Sequence, residues 1–222
     1  MIKLFNSPAS TAMSAHAALE EIGCAYENAW VDIEVPLAER DPEFQAVTPH
    51  GAVPVLVDDD GTVVFEGTAI LIHLADRFPQ AGLGPAVGHP KRGDFLKWMT
   101  YMTNTLQIAM QLYFMPYRHT IVPTGHDDIR AKGIERLDES WTFIDAACAS
   151  PGPYLLGASF SACDLHLQML TRWHRDVDAM RARYPNVKRC AELVEERPAV
   201  QRIMHHHGPD WTTLHPTDPG PP

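Results

Sequence analysis

The sequence predicts an α/β unit followed by an all-helical one, and three observations carry that expectation. Up to about residue 79, short apolar runs alternate with helical patterns in the order β-α-β, then α, then β-β-α. Residues 79–90 read PQAGLGPAVGHP, six of twelve being Gly or Pro, which marks a linker. Beyond it the apolar spacing is helical and no strand signal returns.

Each element has a local cause. Residues 2–5 read as a strand ended by Asn6-Ser7-Pro8. Ser10 or Thr11 stands where an N-cap belongs, ahead of a helix over 13–22 that Gly23 stops. Residues 26–31 form a second strand, and 36–47 a short irregular helical stretch before Thr48-Pro49-His50-Gly51. The runs 53–57 and 62–65 flank Asp58-Asp59-Asp60-Gly61, a hairpin around an Asp-Gly turn. A helix over 68–77 follows, with Ile70, His73, Leu74 and Phe78 on one side, and Pro79 ends it. This alternation argues for a parallel or mixed sheet with covered faces. The second half predicts long helices over 95–115, 129–149 and 163–182 and a shorter one over 193–204. Ser161-x-x-Asp164 is a capping-box relative with a structural role. The expected organisation is therefore residues 1–79, a linker 80–90, a helical domain 91–211, and an extended Pro-rich tail 212–222.

Composition removes several function classes. The chain has 222 residues, 45% of them hydrophobic and 21% charged, as in an ordinary globular protein. The net charge is −10, and it resides in residues 1–78, where only Lys3, Arg40 and Arg77 are basic. No basic stripe exists to neutralise phosphates, so nucleic acid is not an expected partner. No apolar run approaches the roughly 18 residues of a membrane span, and MIKLFNSP has no signal-peptide pattern, so a cytoplasmic location is expected. Cys24, Cys148, Cys163 and Cys190 are widely spaced, which predicts reduced thiols rather than a disulfide framework or zinc knuckle. His205-His206-His207 reads as a surface run at a helix end, so no metal is expected.

Four segments are similar to cytosolic glutathione S-transferases: KLFNSPASTAMSAHAALEEIG at 3–23, TPHGAVPVL at 48–56, DDDGTVVFEGTAILIHLADRFP at 58–79 and GASFSACDLHL at 157–167. The resemblance implies a thioredoxin-like α/β N-terminal domain, an all-α C-terminal bundle, a homodimer, and glutathione as co-substrate without a metal. It implies a cis Val53–Pro54 bond that presents the Val53 N–H and C=O to the cysteinyl part of glutathione. His50 and Ala52 belong to the same loop, and His50 is its one side chain suited to the glycyl carboxylate. Glu66, Gly67 and Thr68 match the segment that holds the γ-glutamyl end, with Gly67 where the family usually has serine. A helix N-terminus with free N–H groups suits that carboxylate.

Ser10 and Thr11 lie where the family places its sulfur-activating residue, serine or threonine standing in for the cysteine of bacterial beta-type members. A free thiol has a pKa of about 8.5, so a donor to sulfur is needed to populate thiolate near neutrality. The resemblance puts the second substrate between the domains, against the first long helix of the second one, where Tyr101, Tyr113 and Tyr117 are expected to line an apolar pocket. The expected activity is attack of glutathione thiolate on a small apolar electrophile, by conjugation or thiolytic cleavage. The alternative, raised by Gly67 and by the scarcity of cations, is a non-enzymatic binding or scaffold protein on the same fold.

Overall fold

The computed structural model describes residues 1–48, 50–174 and 176–208. Its sheet has four strands, β1 (Ile2–Asn6), β2 (Tyr26–Trp30), β3 (Val55–Val57) and β4 (Val63–Phe65), in the order β2-β1-β3-β4. β1 pairs parallel with β2 and antiparallel with β3, and β3 pairs antiparallel with β4, so the sheet is mixed.

Side-chain alternation along the strands divides the apolar residues between two faces. Ile2, Leu4 and Leu56 join the large core on one face, covered by α1 (Ala12–Ile22) and α3 (Gly67–Arg77). Phe5 and Val55 turn to the other face, where they meet Val31 and Phe44, the latter from α2 (Pro42–Val47). α1 ends as its sequence requires, with Gly23 left-handed at φ 70° and its N–H on the Leu19 carbonyl. The hairpin is held to α3 through Asp58: this buried carboxylate accepts from His73 Nε2 and Arg77 Nη1, each at 2.7 Å.

The helical half begins with α4 (Arg92–Tyr101), a π-helical turn (Met102–Leu106) and α5 (Gln107–Phe114), which together form the first long helix expected from sequence. At the turn, Thr103 Oγ1 donates to the Met99 carbonyl at 3.1 Å, a hydroxyl competing with the backbone ladder. α6 (His126–Cys148) packs closely on α5 because Gly133 has no side chain; a Cβ there would stand 2.7 Å from the Tyr113 nitrogen. α7 (Ala162–Thr171) is buried along its whole length and lies against α1, α3, α4 and α9 (Pro185–Glu195). Its capping box is present: the Ser161 N–H donates to Asp164 Oδ2 at 2.8 Å, and Asp164 Oδ1 also takes the Leu155 N–H.

Two helices expected from sequence are each two helices. The stretch 163–182 stops after Thr171 and restarts as α8 (Val177–Arg183), because Asp176 caps a new N-terminus by accepting from the Ala179 N–H at 2.8 Å. The stretch 193–204 spans the end of α9 and most of α10 (Pro198–His207). Pro198 occupies the first helical position, where its missing N–H is harmless, and it cannot continue the preceding helix. The expected tail at 212–222, and the last residues of the expected helical domain, 209–211, lie outside the described residues. Among the described residues, no helix is long and apolar enough to cross a membrane.

Candidate active site

A cavity of about 380 Å³ opens between the sheet half and the helical half. One wall comes from the sheet half. The loop from Thr48 leads through His50, Ala52 and Val53 into the cis Val53–Pro54 peptide, and all of these line the cavity. Arg40 fixes this loop by donating from Nε to the Val35 carbonyl at 2.9 Å, from Nη2 to the Ile33 carbonyl at 2.7 Å, and from Nη1 to the Gly51 carbonyl. Gly51 itself is left-handed, with Leu37 packed where a side chain would stand.

Next along this wall come Glu66, Gly67 and Thr68 at the start of α3. Glu66 has φ 71°, an uncommon conformation for a residue with a side chain and one that gathers at functional sites. Gly67 is not left-handed, and a Cβ added to it would meet Thr11 O at 3.5 Å and Pro54 Cγ at 3.8 Å, ordinary contacts. A serine would therefore fit at this position. The α3 N-terminus directs its free N–H groups and partial positive charge here.

The other wall is made of side chains from the helical half: Thr103, Gln107, Gln111, Arg118 and His166. Thr103 is tied to Thr68 across the cleft, hydroxyl to hydroxyl at 3.3 Å. Arg118 matters because the cations of residues 1–78 already have partners: Lys3 pairs with Glu27 and Glu43, Arg77 with Asp58 and Asp59, and Arg40 with the loop. Arg118 was not singled out from sequence; its position in the cleft depends on how the segment after α5 turns, which no local pattern records.

A smaller cavity of about 150 Å³ adjoins the first, sharing Thr11, Gln107 and Gln111 with it. The rest of its lining is mostly apolar and includes Ala9, Met110, Phe114 and Trp173. Ser10 lines only this cavity, whereas Thr11 lines both.

The two candidate hydroxyls are both engaged. Ser10 Oγ donates to the Ser7 carbonyl at 2.7 Å and accepts from the Ala12 N–H at 3.2 Å, so it does the work of an N-cap. Thr11 Oγ1 donates to the Val53 carbonyl at 3.1 Å, bridging the loop to the Val53–Pro54 peptide. A hydroxyl carries one proton, and in this arrangement each points its proton at backbone.

The three tyrosines expected in the second-substrate pocket are elsewhere. Tyr101 packs on Trp98 and Phe143, with ring centroids at 5.7 and 5.2 Å. Tyr113 is buried and lines a separate cavity with Trp141, Met180 and Tyr184. Tyr117 is 59% exposed, with Arg118 beside its ring. None lines either cavity of the cleft. The residues that do, Thr103, Gln107, Met110, Gln111 and Phe114, recur at helical spacing and form one face. That stripe was available in the sequence, but its mixed polarity made it less conspicuous than the aromatics.

The chain matches the family model described as glutathione S-transferase, N-terminal domain, over residues 10–77. It is 26% identical to glutathione S-transferase GstA of Escherichia coli O157:H7, over 93% of this chain and 99% of that protein. It is 28% identical to glutathione S-transferase GstB of Escherichia coli K12, over 84% and 88% of the two chains. Among solved structures it is similar to a sphingomonad glutathione S-transferase complexed with glutathione, at 28% identity and a TM-score of 0.80, covering 93% of this chain and 99% of that one. The ternary complex of BphK, a bacterial glutathione transferase, superposes with a TM-score of 0.81 at 27% identity and the same coverage.

Proposed function

The chain belongs to the cytosolic glutathione S-transferase family, and from that premise we propose that it binds glutathione in the larger cavity and turns its thiolate on a small apolar electrophile held in the smaller one. The observation that carries this reading is the junction of the two cavities at Thr11, Gln107 and Gln111. A larger space of mixed lining meets a mostly apolar one at the N-terminus of α1, where a sulfur can face both.

In this reading the Val53 backbone beside Pro54 pairs with the cysteinyl part. The α3 N-terminus receives the γ-glutamyl carboxylate through the N–H groups of Gly67 and Thr68, and Glu66 accepts from its ammonium. His50 and Arg118 meet the glycyl carboxylate, with Arg118 supplying the cation that residues 1–78 do not spare. The N–H groups of the α1 N-terminus favour the anionic sulfur. That sulfur bonds to the electrophilic carbon as the leaving group departs or the strained ring opens. Ser10 acts chiefly as a cap, and Thr11 as a spacer that holds the Val53 carbonyl.

We assign residues 1–79 to the glutathione-binding unit, 80–90 to the connector and 91–211 to the helical unit, in a cytoplasmic homodimer. The exposed apolar side chains Phe65, Leu96 and Phe143 support a partner surface. Light scattering at micromolar concentration is expected to give about twice the 24.7 kDa chain mass.

The deciding experiment is calorimetry with glutathione, followed by turnover with a dinitro-substituted aryl chloride. Saturable binding with turnover that rises with pH is expected. Binding without turnover against a panel of apolar electrophiles supports the scaffold alternative, and absence of binding overturns both.

A further inference from the structure

One residue that lines the cavity carries a buried ring nitrogen with no partner among the described residues, and the inference drawn from it rests on the glutathione reading above. His166 lies mid-way along α7, 1% exposed, and lines the larger cavity together with Thr11 and Gly67. Its Nδ1 is 3.4 Å from Ser14 Oγ, while its buried Nε2 has no hydrogen-bond partner. Buried polar atoms are nearly always satisfied, and an unsatisfied one on a residue that lines a cavity needs an explanation, a ligand contact being one. Ser14 Oγ also stands 3.3 Å from the Thr11 carbonyl, so its single proton has two acceptors within reach.

We propose that His166 Nε2–H donates a hydrogen bond to the sulfur of the bound thiolate, with the Ser14 hydroxyl turned to Nδ1 to fix that tautomer. The role is open because Ser10 and Thr11 donate to backbone carbonyls. Burial holds the imidazole pKa down at about 4, so it stays neutral near pH 7 and serves as a donor rather than a base. The thiol proton leaves to solvent, and no proton is transferred to the ring. The ionisable side chains that share the cavity with His166 are His50, Glu66 and Arg118, and from α1 the Ser14 hydroxyl meets its Nδ1.

The test is a titration of bound glutathione by thiolate absorbance in wild type, His166→Phe, His166→Gln and Ser14→Ala. Affinities for glutathione and S-methylglutathione are measured alongside. His166→Phe is expected to raise the bound thiol pKa by about one to two units, a roughly ten- to hundredfold loss of thiolate at neutral pH. His166→Gln keeps a donor and recovers part of that shift, and Ser14→Ala gives a smaller rise. Affinity for S-methylglutathione, which has no ionisable sulfur, stays unchanged in all three. An unaltered thiol pKa overturns the proposal, and so does a lowered one, which would mean that Nε2 accepts from the thiol. Equal losses for both ligands would make His166 a packing residue and also overturn it. If wild type binds neither ligand, the glutathione reading itself fails.

Discussion

The two walls of the cleft are built by different means. The sheet side comes from short local runs, the loop into the Val53–Pro54 peptide and the turn that opens α3, where backbone groups are offered to a ligand. The helical side presents side chains from three separate segments, Thr103 to Gln111, Arg118 and His166. Backbone recognition depends on local chain geometry, which Pro, Gly and turn residues announce. Side-chain recognition depends on which faces of distant helices come together, and that is decided only by packing.

The largest expected effect concerns the seam joining the two sides. His16 on α1 and His207 on α10 are both buried and share a hydrogen bond, Nδ1 to Nε2, at 3.0 Å. Burial depresses His16 to about 4 and His207 to about 3, and His166 lies at about 4 for the same reason. Unfolded histidine titrates near 6.5, so between 6.5 and about 4 the unfolded chain binds protons that the folded one refuses. Stability is full above 6.5 and falls as the pH drops through that window. At about 1.4 kcal/mol per unit and per group, the three histidines together cost up to about 8 kcal/mol by pH 4.5, or roughly 20 °C in melting temperature. Thermal melts from pH 7.5 to 4.5 check this, and His207→Leu should flatten the profile. A flat wild-type profile would mean that the seam does not join the halves in the way described.

The backbone wall is broken most directly by Gly67→Asp. A carboxylate at the first position of α3 suits the helix dipole and has room, so the melting temperature should hold. The same carboxylate opposes that of the ligand, and like-charge juxtaposition costs several kcal/mol. Glutathione affinity by calorimetry should drop by at least about a hundredfold. Retained affinity would remove α3 from the site.

On the side-chain wall, Arg118→Leu should weaken glutathione roughly ten- to hundredfold, the loss of one charge-assisted hydrogen bond of about 1.5–3 kcal/mol. Wild-type affinity should also fall with added salt more steeply than that of the variant. Parallel salt dependences would place the carboxylate elsewhere.

The smallest effect is a gain. Gly67→Ser puts a hydroxyl beside the α3 N-terminus with no close contact to relieve. One added neutral hydrogen bond, about 0.5–1.5 kcal/mol, should tighten glutathione by about two- to tenfold in calorimetry. An unchanged or weaker Kd would mean that the side chain at 67 faces away from the ligand.

The contrast between the walls also accounts for how much was legible in the sequence. The four strands, the Asp-Gly hairpin, the Gly23 stop and the cleft positions of His50, Ala52, Val53, Pro54, Glu66, Gly67 and Thr68 follow from local signals or from family motifs that lie along one stretch of chain. The break after Thr171 was hidden because Arg172-Trp173-His174 carries no Gly or Pro. The break before α10 is marked by Pro198, a local signal that apolar periodicity alone does not carry. Arg118 and His166 were out of reach for a different reason: they stand 64 and 112 positions from Pro54 along the chain, and nothing in the spacing brings them to its side. The tyrosines misled because aromatic bulk marks burial as readily as a binding face, and Tyr113 is buried in the core.

The large apolar core has a consequence for how the molecule can be taken apart. It runs without interruption from Ile2, Leu4 and Met13, through Leu71 and Leu74, to Phe95, Leu165 and Ile203. The sheet half alone would keep the small cluster of Phe5, Val31, Phe44 and Val55 whole, but the larger core between its sheet, α1 and α3 would be cut open on the side where the helical half packs. Cutting at the Gly- and Pro-rich connector would leave two pieces with torn, sticky faces rather than two miniature proteins. The connector is thus a seam in the sequence but not in the solid, and transplanting either half into another scaffold requires redesigning the face it leaves behind.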